Sequence, residues 1–228
     1  MSDRFSGKRV LVTCVDRYMG QPIADAFIAE GAEVFTDTSA LTTQAQINDL
    51  LQRVGEIDVL VANFAEDPNP QSVVAIGDEE IETLFSGMVT PLMRIVRSVV
   101  PAFIEQGHGK IVAMTSAAPL RGIAGYSAYC AARGAQNAFV RAVGLEVAAQ
   151  NIQFNAIAQN FVKNERYFPD EFIESDFFKE KFLPQIPTGK VAEAEETGEL
   201  ALYLASEKCT HMVGQVIPWA GGWSTTTG

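Results

Sequence analysis

The sequence predicts an α/β fold, a doubly wound parallel sheet with helices on both faces, and three observations carry that prediction. Short β-branched and apolar runs (RVLVT at 9–13, IDVLVA at 57–62, IQFNAIA at 152–158) alternate with stretches of helical periodicity. IDVLVA is apolar almost throughout, as a strand covered on both faces must be. At 228 residues and 47% hydrophobic, the chain can bury one substantial core, and no repeat, linker or low-complexity tract divides it, so residues 1–228 are read as a single domain.

Taken in order, Arg9–Thr13 is the first strand, and Gln21–Glu30 is a helix that tolerates Pro22 in its first turn and is ended by Gly31. Glu33–Thr36 is the second strand. A helix follows from about Thr43 to Val54, with Ile47, Leu50, Leu51 and Val54 on its apolar face, and then the strand Ile57–Ala62. A long helix is expected from about Glu79 to Glu105, bent at Pro91 and stopped by Gly107. The strand that includes Ile111–Met114 ends in Thr115-Ser116, and a Gly/Pro loop leads to a small-residue helix from Ser127 to Ala149. Ile152–Ala158 is the next strand, 160–187 an aromatic-rich excursion, Glu193–Ser206 a helix, and Gln215–Trp219 the last strand before AGGW. In such a sheet ligands lie beyond the carboxyl ends of the strands, where Thr13, Cys14, Asn63, Ser116 and the loop Gln159–Val162 all fall.

Composition narrows the partners. Seventeen Lys+Arg against 28 Asp+Glu gives a net charge of −11, which opposes binding to phosphate backbones or anionic lipid, so neither nucleic acid nor a membrane is expected. Three scattered cysteines, Cys14, Cys130 and Cys209, have neither metal-ligand spacing nor a disulfide pattern and read as small buried hydrophobes in a reducing compartment. The start, MSDRFSGKRV, has no apolar signal region, and no apolar run approaches the ~18 residues of a span, so a cytoplasmic protein is expected.

The stretch 110–141 carries the chemistry. Tyr129 and Arg133, four apart on one helix, share a face, and Ser116 stands at the end of the preceding strand. A guanidinium beside a phenol favours the phenolate, so hydroxyl, phenol and fixed cation together suit the removal of a proton from an alcohol. An isolated Tyr-x3-Arg is more often surface support. Here a strand, a Ser at its end and a glycine-bearing loop precede the pair, which favours a catalytic reading.

With a first βα turn, VLVAN after a helix, Ser116-x12-Tyr129-x3 and a late strand ending in AGG, the whole chain resembles the short-chain dehydrogenase/reductase superfamily, whose fold is Rossmann-like. Members that use a nicotinamide carry Lys where this chain has Arg133. Their glycine-rich first turn is replaced by Thr13-Cys14-Val15-Asp16-Arg17-Tyr18-Met19-Gly20, with one glycine, a carboxylate where phosphates would sit and a ring in the cofactor's space. Only one helix separates Glu33–Thr36 from VLVA, and Met88 stands where the usual helical Asn would be. Thr13-x4-Tyr18-x-Gly20 together with Ser116-x12-Tyr129-x3-Arg133 resembles the halohydrin dehalogenases, cofactor-free relatives within that superfamily.

That resemblance implies a lyase that converts vicinal haloalcohols to epoxides, halide and a proton, and opens epoxides with small anions in reverse. Tyr129 would take the hydroxyl proton, Ser116 would hold that oxygen, and Arg133 would favour the ionised Tyr. No hydride moves, so no cofactor and no metal is expected. The halide would lie among Tyr18 and Gln159-Asn160-Phe161-Val162, with Tyr167 and Phe168 further along and Thr13 heading the same turn. Gln159 replaces the proline expected there. A homotetramer is also implied, supported by the Ala/Val/Leu content of the two long helices. The alternatives are an NAD(P)-dependent alcohol dehydrogenase or carbonyl reductase, opposed by Tyr18, Asp16 and Arg133, and a non-catalytic protein that kept the fold. Of the remaining residues, Phe172, Phe177, Phe178 and Phe182 are read as packing before substrate contact. Asp37 is read as a cap or turn, His108 and His211 as surface, and Trp219 and Trp223 as interface positions.

Overall fold

A computed structural model describes residues 3–225. Six parallel strands form one sheet in the order β2-β1-β3-β4-β5-β6: β1 Arg9–Val12, β2 Glu33–Thr36, β3 Val59–Ala62, β4 Gly109–Ser116, β5 Ile152–Gln159 and β6 Val216–Trp219. From β1 the chain goes out to the edge at β2 and returns across β1 to β3, so the winding reverses between β1 and β3. Helices α1 (Gly20–Ala29) and α9 (Ala194–Ala205) cover one face, packed on Val10, Val12, Val59 and Val61. Helices α2 (Gln44–Val54), α4 (Thr90–Gln106) and α6 (Ser127–Val147) cover the other, against Leu11, Leu60, Ile111 and Phe154. Covered on both sides, β3 is buried at all four of its residues, as its apolar run requires.

Element boundaries follow local chemistry. Thr43 caps α2 rather than opening it: its Oγ1 accepts from the Gln46 N–H at 3.3 Å, while the Gln46 side chain accepts from the Thr43 N–H at 3.0 Å. The expected long helix is interrupted. It consists of α3 (Asp78–Leu84), a π turn over Phe85–Val89, and α4, so the irregularity precedes Pro91. Pro91 sits in the first turn of α4, where its missing N–H removes one helical bond from the turn before. The 78–106 unit is also long and apolar enough to cross a membrane by composition, but half of its most apolar window is buried inside this fold. The loop expected after Ser116 holds a short helix, α5 (Ala118–Arg121), and the excursion folds into α7 (Asp170–Glu174), α8 (Asp176–Lys181) and a 3-10 turn at Leu183–Gln185.

The expected role of Asp37 as a turn residue is borne out. Its Oδ1 accepts from the Ser39 N–H at 2.8 Å and its Oδ2 from Arg53 at 3.0 Å. His211 is exposed, whereas His108 is only half-exposed and bonds Asp58 Oδ1 at 3.0 Å.

One close approach seats α6 on the sheet. A Cβ at Gly144 would come within 2.6 Å of the Gly214 backbone in the β5–β6 connection, whereas at Gly134, in the same helix, the nearest atom is a Pro119 side-chain carbon at 3.5 Å. Gly144→Ala should therefore cost about 1–3 kcal/mol, the usual range for an overpacked core. Gly134→Ala should be neutral or stabilising by up to about 1 kcal/mol, from helix propensity. Urea unfolding of both variants tests the pair, and equal stabilities would refute the close packing.

Candidate active site

A cavity of about 320 Å³ opens at the carboxyl edge of the sheet. Of the residues expected at the site, Tyr18, Ser116, Tyr129, Gln159, Asn160, Phe161, Val162, Tyr167 and Phe168 line it. Arg133 lies behind Tyr129, with none of its surface exposed. Thr13 is a correction: it is fully buried, and its Oγ1 accepts from the Asn63 N–H at 2.9 Å, so it braces the ends of β1 and β3 instead of facing the cavity. A second cavity, of about 360 Å³, opens at the amino edge of the sheet among Lys8, Asp58, His108 and Lys110, remote from these residues.

Tyr129 lies in the first turn of α6 and Arg133 one turn on, which brings the Arg133 Nε–H to donate to Tyr129 Oη at 3.1 Å. Arg133 Nη1 donates to the carbonyls of Phe64 (2.9 Å) and Met114 (3.3 Å) and to Gln136 Oε1 (2.9 Å), while Nη2 is buried with no partner. Its guanidinium carbon lies 5.4 Å from the centre of the Tyr18 ring and 5.3 Å from that of Tyr129. Among the described residues no carboxylate pairs with it. Burial alone would lower the Arg133 pKa, but the phenols of Tyr129, Tyr18 and Tyr167 raise it overall, so the cation persists.

Three phenols thus surround one buried cation. Burial pushes the Tyr18 phenol well above its ordinary value, against the opposing pull of Arg133. Tyr167 is likewise raised, by burial first and then by Tyr129, with Arg133 again opposing. Tyr18 Oη donates to the Thr115 carbonyl at 2.9 Å and Tyr167 Oη to the Glu66 carbonyl at 2.9 Å, so both hydroxyl protons are occupied. Tyr129 is the phenol that receives the guanidinium N–H and faces the cavity. Ser116 Oγ accepts from the Ala118 N–H at 3.1 Å, which leaves its own proton to donate into the cavity it lines.

The loops around the cavity are tied together. Asn63 Nδ2 donates to the carbonyls of Cys14 (3.0 Å) and Arg17 (2.8 Å), and Cys14 and Tyr18 both have left-handed backbones, with φ of 47° and 55°. Gly20 is required, because a Cβ there would meet the Val15 backbone at 2.5 Å. Arg17 pairs with Glu66 at 3.4 Å, Arg166 with Asp67, and Tyr167 meets Tyr18 edge-to-face at 5.5 Å. These ties join the loops after β1, β3 and β5. They do not fit a dinucleotide, since Tyr18 and Tyr167 fill the gap between the loops and the first turn retains one glycine.

Several lining residues were not expected, among them Ile123, Tyr126, Asn164 and Gln185, and nothing in their spacing marked them. Trp223 lines the cavity and packs on Phe161 at 5.8 Å. Phe172 and Phe182 also line it, whereas Phe178 is wholly buried packing and Phe177 is exposed.

Residues 36–224 match the family model described as enoyl-(acyl carrier protein) reductase. The chain is 27% identical to the 3-oxoacyl-[acyl-carrier-protein] reductase of Escherichia coli (strain K12), over 96% of this chain and 98% of that one. Among solved structures, a protein titled "Dehalogenation enzyme" superposes with a TM-score of 0.88 at 30% identity, covering 95% of this chain and 98% of the other. A halohydrin dehalogenase bound to ethyl (2S)-oxiran-2-ylacetate superposes with a TM-score of 0.85 at 22% identity, covering 96% and 98%, a likeness of fold.

The raised Tyr18 phenol has a consequence for stability at high pH. With the folded value above the unfolded value of about 10, the contribution is fully present below that pH and is lost as pH rises through the folded value. Tyr18→Phe should lose about 1 kcal/mol at pH 8, from the bond to Thr115, yet show a shallower alkaline decline. Denaturant midpoints between pH 8 and pH 11 test this, and parallel declines in the two proteins would contradict it.

Proposed function

We propose that this chain, which belongs to the short-chain dehydrogenase/reductase superfamily, is a cofactor-independent halohydrin dehalogenase that converts vicinal haloalcohols to epoxides and opens epoxides with small anions in reverse. The observation that carries the reading is the buried Arg133 cation, unpaired with any carboxylate among the described residues, whose Nε–H is directed at the cavity-lining hydroxyl of Tyr129. A negative charge on Tyr129 Oη is what that cation lacks. The structural likeness to a protein titled "Dehalogenation enzyme" supports the same reading.

In this mechanism the substrate hydroxyl donates to the Tyr129 phenolate while Ser116 hydrogen-bonds the same oxygen. The alkoxide attacks the neighbouring carbon, the carbon–halogen bond breaks, and the halide leaves toward Tyr18, Gln159–Val162, Tyr167 and Phe168. The proton passes from Tyr129 to solvent. Both reacting groups belong to one molecule, so the enzyme's part is orientation, proton removal and stabilisation of the departing anion. Among the described residues none of those lining the cavity is Asp, Glu, Lys, Arg or His, and nine are aromatic, which favours neutral, apolar haloalcohols.

The second reading is a nicotinamide-dependent reductase, favoured by the match to a 3-oxoacyl-[acyl-carrier-protein] reductase. Arg133 in place of Lys and the Tyr18–Tyr167 contact oppose it. A homotetramer is proposed from apolar residues exposed on α4 (Met93, Ile104) and α6 (Leu145). Light scattering that finds a monomer at micromolar concentration would refute it.

The direct test incubates the protein with 1,3-dichloro-2-propanol, without added cofactor, and follows chloride and acid release. Chloride should appear, Tyr129→Phe should abolish it, and Ser116→Ala should slow it about 10²–10³-fold, as the loss of one preorganised donor does elsewhere. No chloride release, or near wild-type release by folded Tyr129→Phe, would overturn the mechanism. Calorimetric titration should show no binding of NADH or NADPH, and a micromolar dissociation constant for either would favour the reductase.

A further inference from the structure

Among the described residues Arg133 makes one side-chain hydrogen bond besides that to Tyr129, and it is with Gln136. Gln136 lies on α6 three residues after Arg133 and is 1% exposed, an unusual place for an amide unless both its ends are used. Both are. Its Oε1 accepts from Arg133 Nη1 at 2.9 Å, and its Nε2 donates to the Met88 carbonyl in the π turn at 2.8 Å. A guanidinium is planar, so fixing Nη1 fixes the direction of Nε. The carbonyls of Phe64 and Met114 hold the same nitrogen, but each belongs to the backbone and cannot be altered by substitution. Gln136 is thus the replaceable member of the cradle.

We infer that Gln136 is a positioning residue for the proposed proton transfer: it orients the Arg133 guanidinium so that Nε–H points at Tyr129 Oη, and, being neutral, leaves the cation's charge for Tyr129. The inference rests on the reading of Tyr129 as the base. A carboxylate at this position could make the same bond with similar geometry, but it would neutralise the cation and remove what favours the phenolate. The charge state of residue 136, as much as its shape, therefore matters. The other groups facing this centre are phenols: Tyr18 from the loop after β1 and Tyr167 from the loop after β5. Burial raises both above the ordinary phenol value, and Asp67 and Arg166 act on Tyr167 from outside. The π turn and β4 contribute only carbonyls.

The test compares wild type, Gln136→Glu and Gln136→Met. In Gln136→Glu the rise of haloalcohol turnover with pH should move upward by about 1–3 units, the shift that an opposite charge at contact distance typically produces. In Gln136→Met the charge persists but its orientation is relaxed, so kcat should fall about 10-fold with KM and the position of the rise unchanged. A readout independent of turnover is tyrosine ionisation followed by ultraviolet difference absorbance. The step missing from Tyr129→Phe identifies Tyr129, and Gln136→Glu should move that step upward. If folded Gln136→Glu leaves both the pH–rate rise and the Tyr129 step where they are, the inference is overturned. Should Gln136→Glu fail to fold, wild-type kcat in Gln136→Met would overturn it equally. If the Tyr129 step moves while the wild type releases no halide, the positioning role stands and the dehalogenase reading fails.

Discussion

The structure depends on a single electrostatic constraint, a guanidinium held wholly inside the protein with no carboxylate beside it among the described residues. Removing a charge from water is costly, and proteins ordinarily offset the cost with an opposite charge. Around Arg133 the compensation comes from dipoles: two carbonyls, one amide oxygen and two aromatic faces. Dipoles hold the cation in place without cancelling it. The site is therefore electrostatically incomplete at rest, and the one hydroxyl both bonded to the cation and open to the cavity is where a negative charge would complete it.

The fold supplies this cradle through strand ends. The carbonyls that receive Arg133 come from Met114, near the end of β4, and Phe64, just past the end of β3. In a parallel sheet neighbouring strands end together, so their last carbonyls and the loops that follow converge at one edge. Helix α6 begins at that edge, where its first turns deliver Tyr129, Arg133 and Gln136 to the carbonyls, and near its other end, by the amino ends of β5 and β6, Gly144 permits close contact with the Gly214 backbone. The loops after β1 and β5 close the remaining side with Tyr18 and Tyr167, whose hydroxyls are spent on backbone carbonyls. Packing that serves the sheet and packing that serves the site are the same contacts.

What the sequence made legible follows from this division. Central strands covered on both faces, such as β3 and β5, announce themselves as apolar runs, and all six strands, the exposed edge strand β2 included, lie within a residue or two of the expected bounds. Ser116, Tyr129 and Arg133 were legible because their spacing is fixed by one strand, one loop and one helical turn. The π turn was not legible, because Pro91 marks a disturbance without saying on which side the helix yields. Thr13 was misplaced for a related reason: being at a strand end does not say whether a side chain faces the cavity or the neighbouring strand, and Asn63 claims it. Gln136 was invisible. Buried polar residues gain meaning only from their partners, and those of Gln136 lie on its own helix and 48 residues away.

The comparisons show why overall similarity leaves the chemistry open. Identity of 27% across 96% of the chain to a reductase reflects a shared sheet and its packing, which any member of the superfamily must keep. The features that bear on reaction type are few: Arg133 in place of Lys, Tyr18 in the first turn, Gln136 beneath the guanidinium and Gln159 at the head of the loop after β5. Each is a small change in composition and a large one in what the cavity will hold. An ammonium sits on a flexible stem, whereas this guanidinium is held by three acceptors and lies close to two phenol rings, which fixes its position. With the cation fixed and Tyr18 and Tyr167 in edge-to-face contact before it, the polar contacts at this end of the cavity converge on one phenol oxygen, that of Tyr129, and it is this local geometry that the proposed chemistry rests on.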